Sequence, residues 1–98
     1  MIIKKAELKN SMKWLMYRII FTERALRDWK NLDRKIQIRI ASKLKQFAQD
    51  PYKYAKKLID PRIGTYRFRI GDYRVIFDLV ENDLVILRVG HRREIYKF

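Results

Sequence analysis

A chain of 98 residues with 48% hydrophobic and 13% aromatic side chains is one small domain with enough apolar matter to bury a core. Its 24 Lys+Arg against 11 Asp+Glu leave a formal net charge of +13, which selects polyanionic partners: nucleic acid, an anionic membrane or an acidic protein. The composition excludes disulfides and thiolate metal sites, because cysteine is absent, and a single histidine leaves too few ligands for structural zinc, so neither metal nor cofactor is expected.

In chain order, residues 1–16 (MIIKKAELKNSMKWLM) stand apart as an N-terminal extension, either a short extra helix on Leu8, Met12 and Leu15 or a loose segment. They lack the uninterrupted apolar core and small-residue cleavage site of a secretion signal. No apolar run in the chain reaches the roughly 20 residues of a membrane span. The expected location is the cytoplasm, with no membrane partner. Residues 17–98 form the domain. YRIIFT (17–22) predicts a strand, because β-branched and aromatic residues dominate, and Thr22 is placed to cap the helix that follows. In that helix Ala25, Leu26, Trp29 and Leu32 recur at three- and four-residue steps and share a face. Asp33 predicts the cap of a second helix, in which Ile36, Ile40, Leu44 and Phe47 repeat the spacing until Asp50-Pro51 stops it. PYKYAKKLIDPRIG (51–64) predicts a basic loop. TYRFRI (65–70), YRVIFDLV (73–80) and LVILRVGH (84–91) predict three strands joined by hairpins at Gly71-Asp72 and Glu81-Asn82-Asp83. The order β-α-α-β-β-β predicts an α+β fold: a helical hairpin packed on one face of a small, twisted, mainly antiparallel sheet, with the other face or one edge open.

Arginines alternate along the predicted strands, at Arg67 and Arg69, then Arg74, then Arg88, with Tyr66, Tyr73 and Tyr96 interleaved. Period-two placement aims Arg67 and Arg69 to one face. Such a pattern is what a site needs in order to clamp phosphates and stack a base; a solvated sheet face is its plainer explanation.

The segments FTERALRDWKNLD, KKL, YRFRIGDYRVIFDL and VGHRREIY, in that order and with those gaps, resemble the RelE family of toxins from prokaryotic toxin-antitoxin pairs, over about residues 17 to 97. The resemblance implies a small α+β ribonuclease that enters the ribosomal A site and cuts messenger RNA without a metal. It also implies an acidic cognate antitoxin and contact with operator DNA only through the toxin-antitoxin complex. The wider superfamily includes ParE-like proteins that act on DNA gyrase, and fold alone cannot separate the two. A non-catalytic RNA-binding protein is a third reading of the charge.

By the resemblance, Arg74 in DYRVIF holds the scissile phosphate, Arg92 after VG neutralises the phosphorane-like transition state, and Tyr96 is the terminal tyrosine. Arg67 and Arg69 stand where the family often has lysines. The reaction needs a proton acceptor at the 2′-oxygen, a donor at the leaving oxygen and cations around phosphorus. Arginine, with a pKa of about 12.5 or more, serves only the last of these. His91 and Tyr96 are therefore the candidates for proton transfer: surrounding cations keep an imidazole neutral and favour a phenolate. A strand-end histidine is also compatible with a bystander, and His91 and Arg92 point to opposite sides if the strand runs through both. Lys56 and Lys57 match loop lysines that touch RNA backbone, unless they are merely solvated. Arg93 is assigned to the same RNA-binding set.

Overall fold

The computed structural model describes residues 17–60 and 62–96, so the expectations for residues 1–16 lie outside the described residues. Strand β1 (Arg18–Phe21) leads directly into helix α1 (Glu23–Lys30). Thr22 makes that joint: its Oγ1 accepts from the Ala25 N–H at 3.1 Å, capping the helix, and donates to the Ile86 carbonyl at 3.0 Å. Helix α2 (Arg34–Phe47) starts at Asp33, whose side chain makes no capping bond, although its carbonyl accepts from Gln37 N–H.

The segment read as a loop contains two further elements, a single helical turn α3 (Pro51–Tyr54) and a two-residue strand β2 (Lys56–Lys57). Pro51 lies past the end of α2 at Phe47, and its fixed φ and missing N–H suit the first position of a new helix. β2 exists only because its residues pair with β3 (Tyr66–Ile70), Lys56 against Arg67 and Lys57 against Tyr66. β4 (Tyr73–Val80) and β5 (Asp83–His91) complete an α+β fold with a five-stranded mixed sheet of order β1-β5-β4-β3-β2. β1 runs parallel to β5, and the other neighbours are antiparallel.

Alternation sends Phe68, Ile70, Val75, Phe77, Leu84, Ile86 and Val89 to the helical side, where Ile40, Leu44 and Phe47 of α2 and Ala25 of α1 meet them in one buried cluster. Three phenylalanines stack through it: ring centroids lie 4.7 Å apart for Phe47–Phe68 and 4.1 Å for Phe68–Phe77. The α1 face is less buried than its spacing predicts, since Leu26 remains 44% exposed while Trp29 packs edge-on against Phe21. Asp28 fastens α1 to β5 by accepting from Arg88 Nε at 2.7 Å and from Val89 N–H at 3.0 Å. Arg88 is thereby committed to an ion pair with α1 rather than to the arginine group its spacing suggested. Among the described residues, no helix is long and apolar enough to cross a membrane.

Candidate nucleic-acid interface

Among the described residues, the second face of the sheet carries no helix. Register places Arg69 opposite Arg74 and Arg67 opposite Ile76, so these three arginines share that face. Arg74 is the one buried charged residue among the described residues, 6% exposed. It is held by the hairpin that precedes it, its Nη1 donating to the carbonyls of Gly71 at 2.8 Å and Tyr73 at 2.9 Å. Burial and then the neighbouring Arg69, Arg67 and Arg92 push its pKa below the ordinary arginine value, while the Tyr96 hydroxyl acts in the opposite sense. Four arginines and a phenol thus lie within electrostatic reach of one another, and the crowding of their positive charge is relieved by an anion.

The C-terminal segment closes the group. β5 ends at His91, and the chain folds back in a turn in which the N–H groups of Glu94 and Ile95 both donate to the His91 carbonyl. Gly90, opposite Arg74, leaves space for this: a Cβ there would approach Ile95 Cδ1 to 3.3 Å. Buried Ile95 anchors the turn and carries Tyr96 to the rim of a groove of about 440 Å³, also lined by Lys57, Leu58, Ile59, Asp60, Ile63 and Arg67. Arg92 is fixed by its N–H, which donates to the Asp72 carbonyl at 2.7 Å, and its Nε lies 3.7 Å from the Asp72 carboxylate.

His91 is placed apart from this group. It pairs with Tyr73, their rings edge to face at 5.5 Å, and alternation puts both on the helix-covered face while Arg74 occupies the other. Its Nδ1 accepts from Arg93 N–H at 3.2 Å. Of the two side chains expected to transfer a proton, Tyr96 is the one beside the arginines. Lys56 lies across from Arg67, Lys57 borders the groove, and Arg93 is exposed on the final turn. Among the described residues no group of three or more His, Asp or Glu side chains could hold a metal ion.

Sequence reasoning overlooked the residues that hold the pocket together: Asp72, Gly90 and Ile95. Gly71-Asp72 announces a turn, but nothing in the order of residues says that its carbonyls grip two arginines 18 positions apart.

Known proteins share this fold. Residues 19–96 match the family described as "ParE toxin of type II toxin-antitoxin system, parDE". The chain is 34% identical over 88 residues to Toxin RelG of Mycobacterium tuberculosis, covering 83% of this chain and 97% of that one. Among solved structures it resembles a chain of the RelBE2 toxin-antitoxin complex of M. tuberculosis, with a TM-score of 0.72 and 30% identity over 79% of this chain and 99% of the other. It also resembles a mutant of the Escherichia coli toxin RelE in its free state, with a TM-score of 0.68 and 25% identity over 83% and 90% of the two chains. Fold, strand arrangement and sequence agree: the chain belongs to the RelE/ParE family of type II toxin-antitoxin toxins.

Proposed function

We propose that this toxin is a ribosome-dependent, metal-independent endoribonuclease that cuts messenger RNA in the A site and so blocks translation. The observation that carries this reading is Arg74: a buried guanidinium crowded by Arg67, Arg69 and Arg92, two of whose electrostatic neighbours, Arg67 and Tyr96, line an open groove. Such a charge is stabilised when a phosphate enters. In the reaction the 2′-hydroxyl loses its proton, its oxygen bonds to the adjacent phosphorus, the bond from phosphorus to the 5′-oxygen breaks, and that oxygen takes up a proton. Arg74 holds the phosphate, Arg92 meets the charge that develops on it, and Arg67 and Arg69 add to the field. Tyr96 accepts the 2′-proton or stacks on a base, and stacking contributes roughly 1–3 kcal/mol. Lys56, Lys57 and Arg93 follow the RNA backbone.

The partner that restrains such a toxin is an acidic antitoxin. Solved relatives are RelB–RelE complexes from Methanococcus jannaschii and Pyrococcus horikoshii. On this chain an apolar groove of about 310 Å³ lined by Phe21, Leu26, Trp29, Ala41 and Leu44 suits the apolar side of an amphipathic helix. Operator DNA is reached only through the complex.

The test is a translation extract programmed with a defined messenger, to which the purified chain is added. The expected result is cleavage within ribosome-bound codons, ending in 2′,3′-cyclic phosphate and 5′-hydroxyl, and lost in Arg92→Ala. An intact messenger together with inhibited DNA supercoiling would transfer the chain to the gyrase-directed branch. Neither effect, with RNA binding retained, would make it a non-catalytic RNA-binding protein.

A further inference from the structure

The β3–β4 hairpin turn holds both arginines that the proposed reaction depends on most. In three consecutive residues, the carbonyls of Gly71 and Tyr73 accept from the Arg74 side chain, and the carbonyl of Asp72 accepts from the Arg92 backbone. The relative placement of the two guanidinium groups is thus set by the path of two residues, Gly71 and Asp72. The first has φ +59°, a left-handed conformation in which glycine is unstrained and whose peptide is otherwise braced only by the hairpin itself.

A helix supplies the missing brace. A Cβ built on Gly71 would lie 2.6 Å from Nη2, 2.9 Å from Cζ and 2.9 Å from Nη1 of Arg39. The Cζ–Nη1–Nη2 end of the Arg39 guanidinium therefore occupies the space that any side chain at position 71 would need. Arg39 belongs to α2, in the layer on the opposite side of the sheet, and its side chain has no hydrogen-bond or ion-pair partner among the described residues. Its guanidinium sits against the turn.

We propose that Arg39 is a positioning residue for the phosphate clamp: by stacking on Gly71 it fixes the turn whose carbonyls orient Arg74 and Arg92. The kinetic side of this assignment rests on the nuclease reading; the structural side does not. The flat, broad guanidinium covers more of the glycine than a compact lysine ammonium, which keeps the charge with less of the contact. Small displacements of the turn move two transition-state donors together, and a misplacement of about 1 Å can cost on the order of 10²-fold in rate.

The experiment compares Arg39→Ala and Arg39→Lys by single-turnover cleavage of ribosome-bound messenger and by hydrogen exchange at the Arg92 amide. Both variants are expected to lose about 10-fold or more in the rate of the chemical step, to keep KM and its salt dependence, to melt near the wild-type temperature, and to exchange the Arg92 amide faster. In the Arg39→Ala background, Gly71→Ala should cost less than it does in the wild type, because the added methyl no longer displaces a guanidinium. Full activity in Arg39→Lys would overturn the proposal in favour of a charge contact with RNA. Unchanged exchange at Arg92 in Arg39→Ala would overturn it whatever the kinetics. If the wild-type chain cuts no RNA, the nuclease reading fails, and the exchange measurement decides the bracing role alone.

Discussion

The two faces of the sheet are made from the same strands by the same alternation and are opposite in their energetics. On the helical face Phe47, Phe68 and Phe77 stack in a closed core, and nothing there is charged. One residue further along each strand, Arg67, Arg69 and Arg74 crowd like charges together, with Arg74 buried at 6% exposure. The first face lowers the free energy of the fold; the second raises it and holds that cost in reserve for an anion. Stability and activity should therefore separate by residue parity along a single strand.

The largest effect expected from that separation is on the core. Phe77→Ala removes the ring at the centre of the stack and should destabilise the chain by about 3–5 kcal/mol, read as a fall in the denaturant midpoint, while the molecules that stay folded keep their cleavage rate per site. Next comes its neighbour by parity on β4. Arg74→Met should lower cleavage by at least about 10²-fold yet leave thermal stability at or above that of the wild type, because it removes a desolvated charge repelled by Arg69, Arg67 and Arg92. A clear loss of stability in Arg74→Met would mean that its bonds to Gly71 and Tyr73 outweigh the repulsion, and the contrast between faces would shrink.

A smaller effect sharpens the comparison from the edge of the covered face. Asp28→Asn weakens the charge-assisted bonds that tie α1 to Arg88 and should cost about 1–3 kcal/mol, seen in equilibrium unfolding and with no change in single-turnover cleavage. The smallest concerns the hairpin at the other end of β4. Glu81 adopts φ 55° as the first residue of its turn, the conformation that Gly71 adopts without strain. Glu81→Gly should therefore raise stability by about 0.5–1 kcal/mol in thermal melts, and it should leave the pocket unaffected.

Much of the covered face was legible in the sequence, because helical spacing at Ile40, Leu44 and Phe47 and alternation along β4 report burial directly. The open face was half legible. Period two aligned Arg67 with Arg69, but that Arg74 joins them follows from cross-strand register. A bulge at Leu87 sets Arg88 opposite Ile76, and it is the ion pair with Asp28, invisible in the sequence, that draws its guanidinium to α1. His91 depended on the same register. β2 was invisible because two lysines form a strand only when partners 9 and 11 residues away, Tyr66 and Arg67, offer an edge. Asp28 with Arg88, and Arg39 with Gly71, were out of reach for the same reason: each is a contact between distant parts of the chain with no local signature.

The single parallel pairing, β1 beside β5, joins Arg18 to Asp83 across 65 positions of sequence. Every antiparallel neighbour can form from a shorter piece of chain, but this pairing cannot form until β5 exists, and long closures of this kind come late in folding. Arg92 and Tyr96 follow β5 immediately. The strand that completes the sheet and the side chains that complete the arginine group are thus contiguous in sequence, so the group cannot assemble before the 65-position closure of β1 on β5 becomes possible.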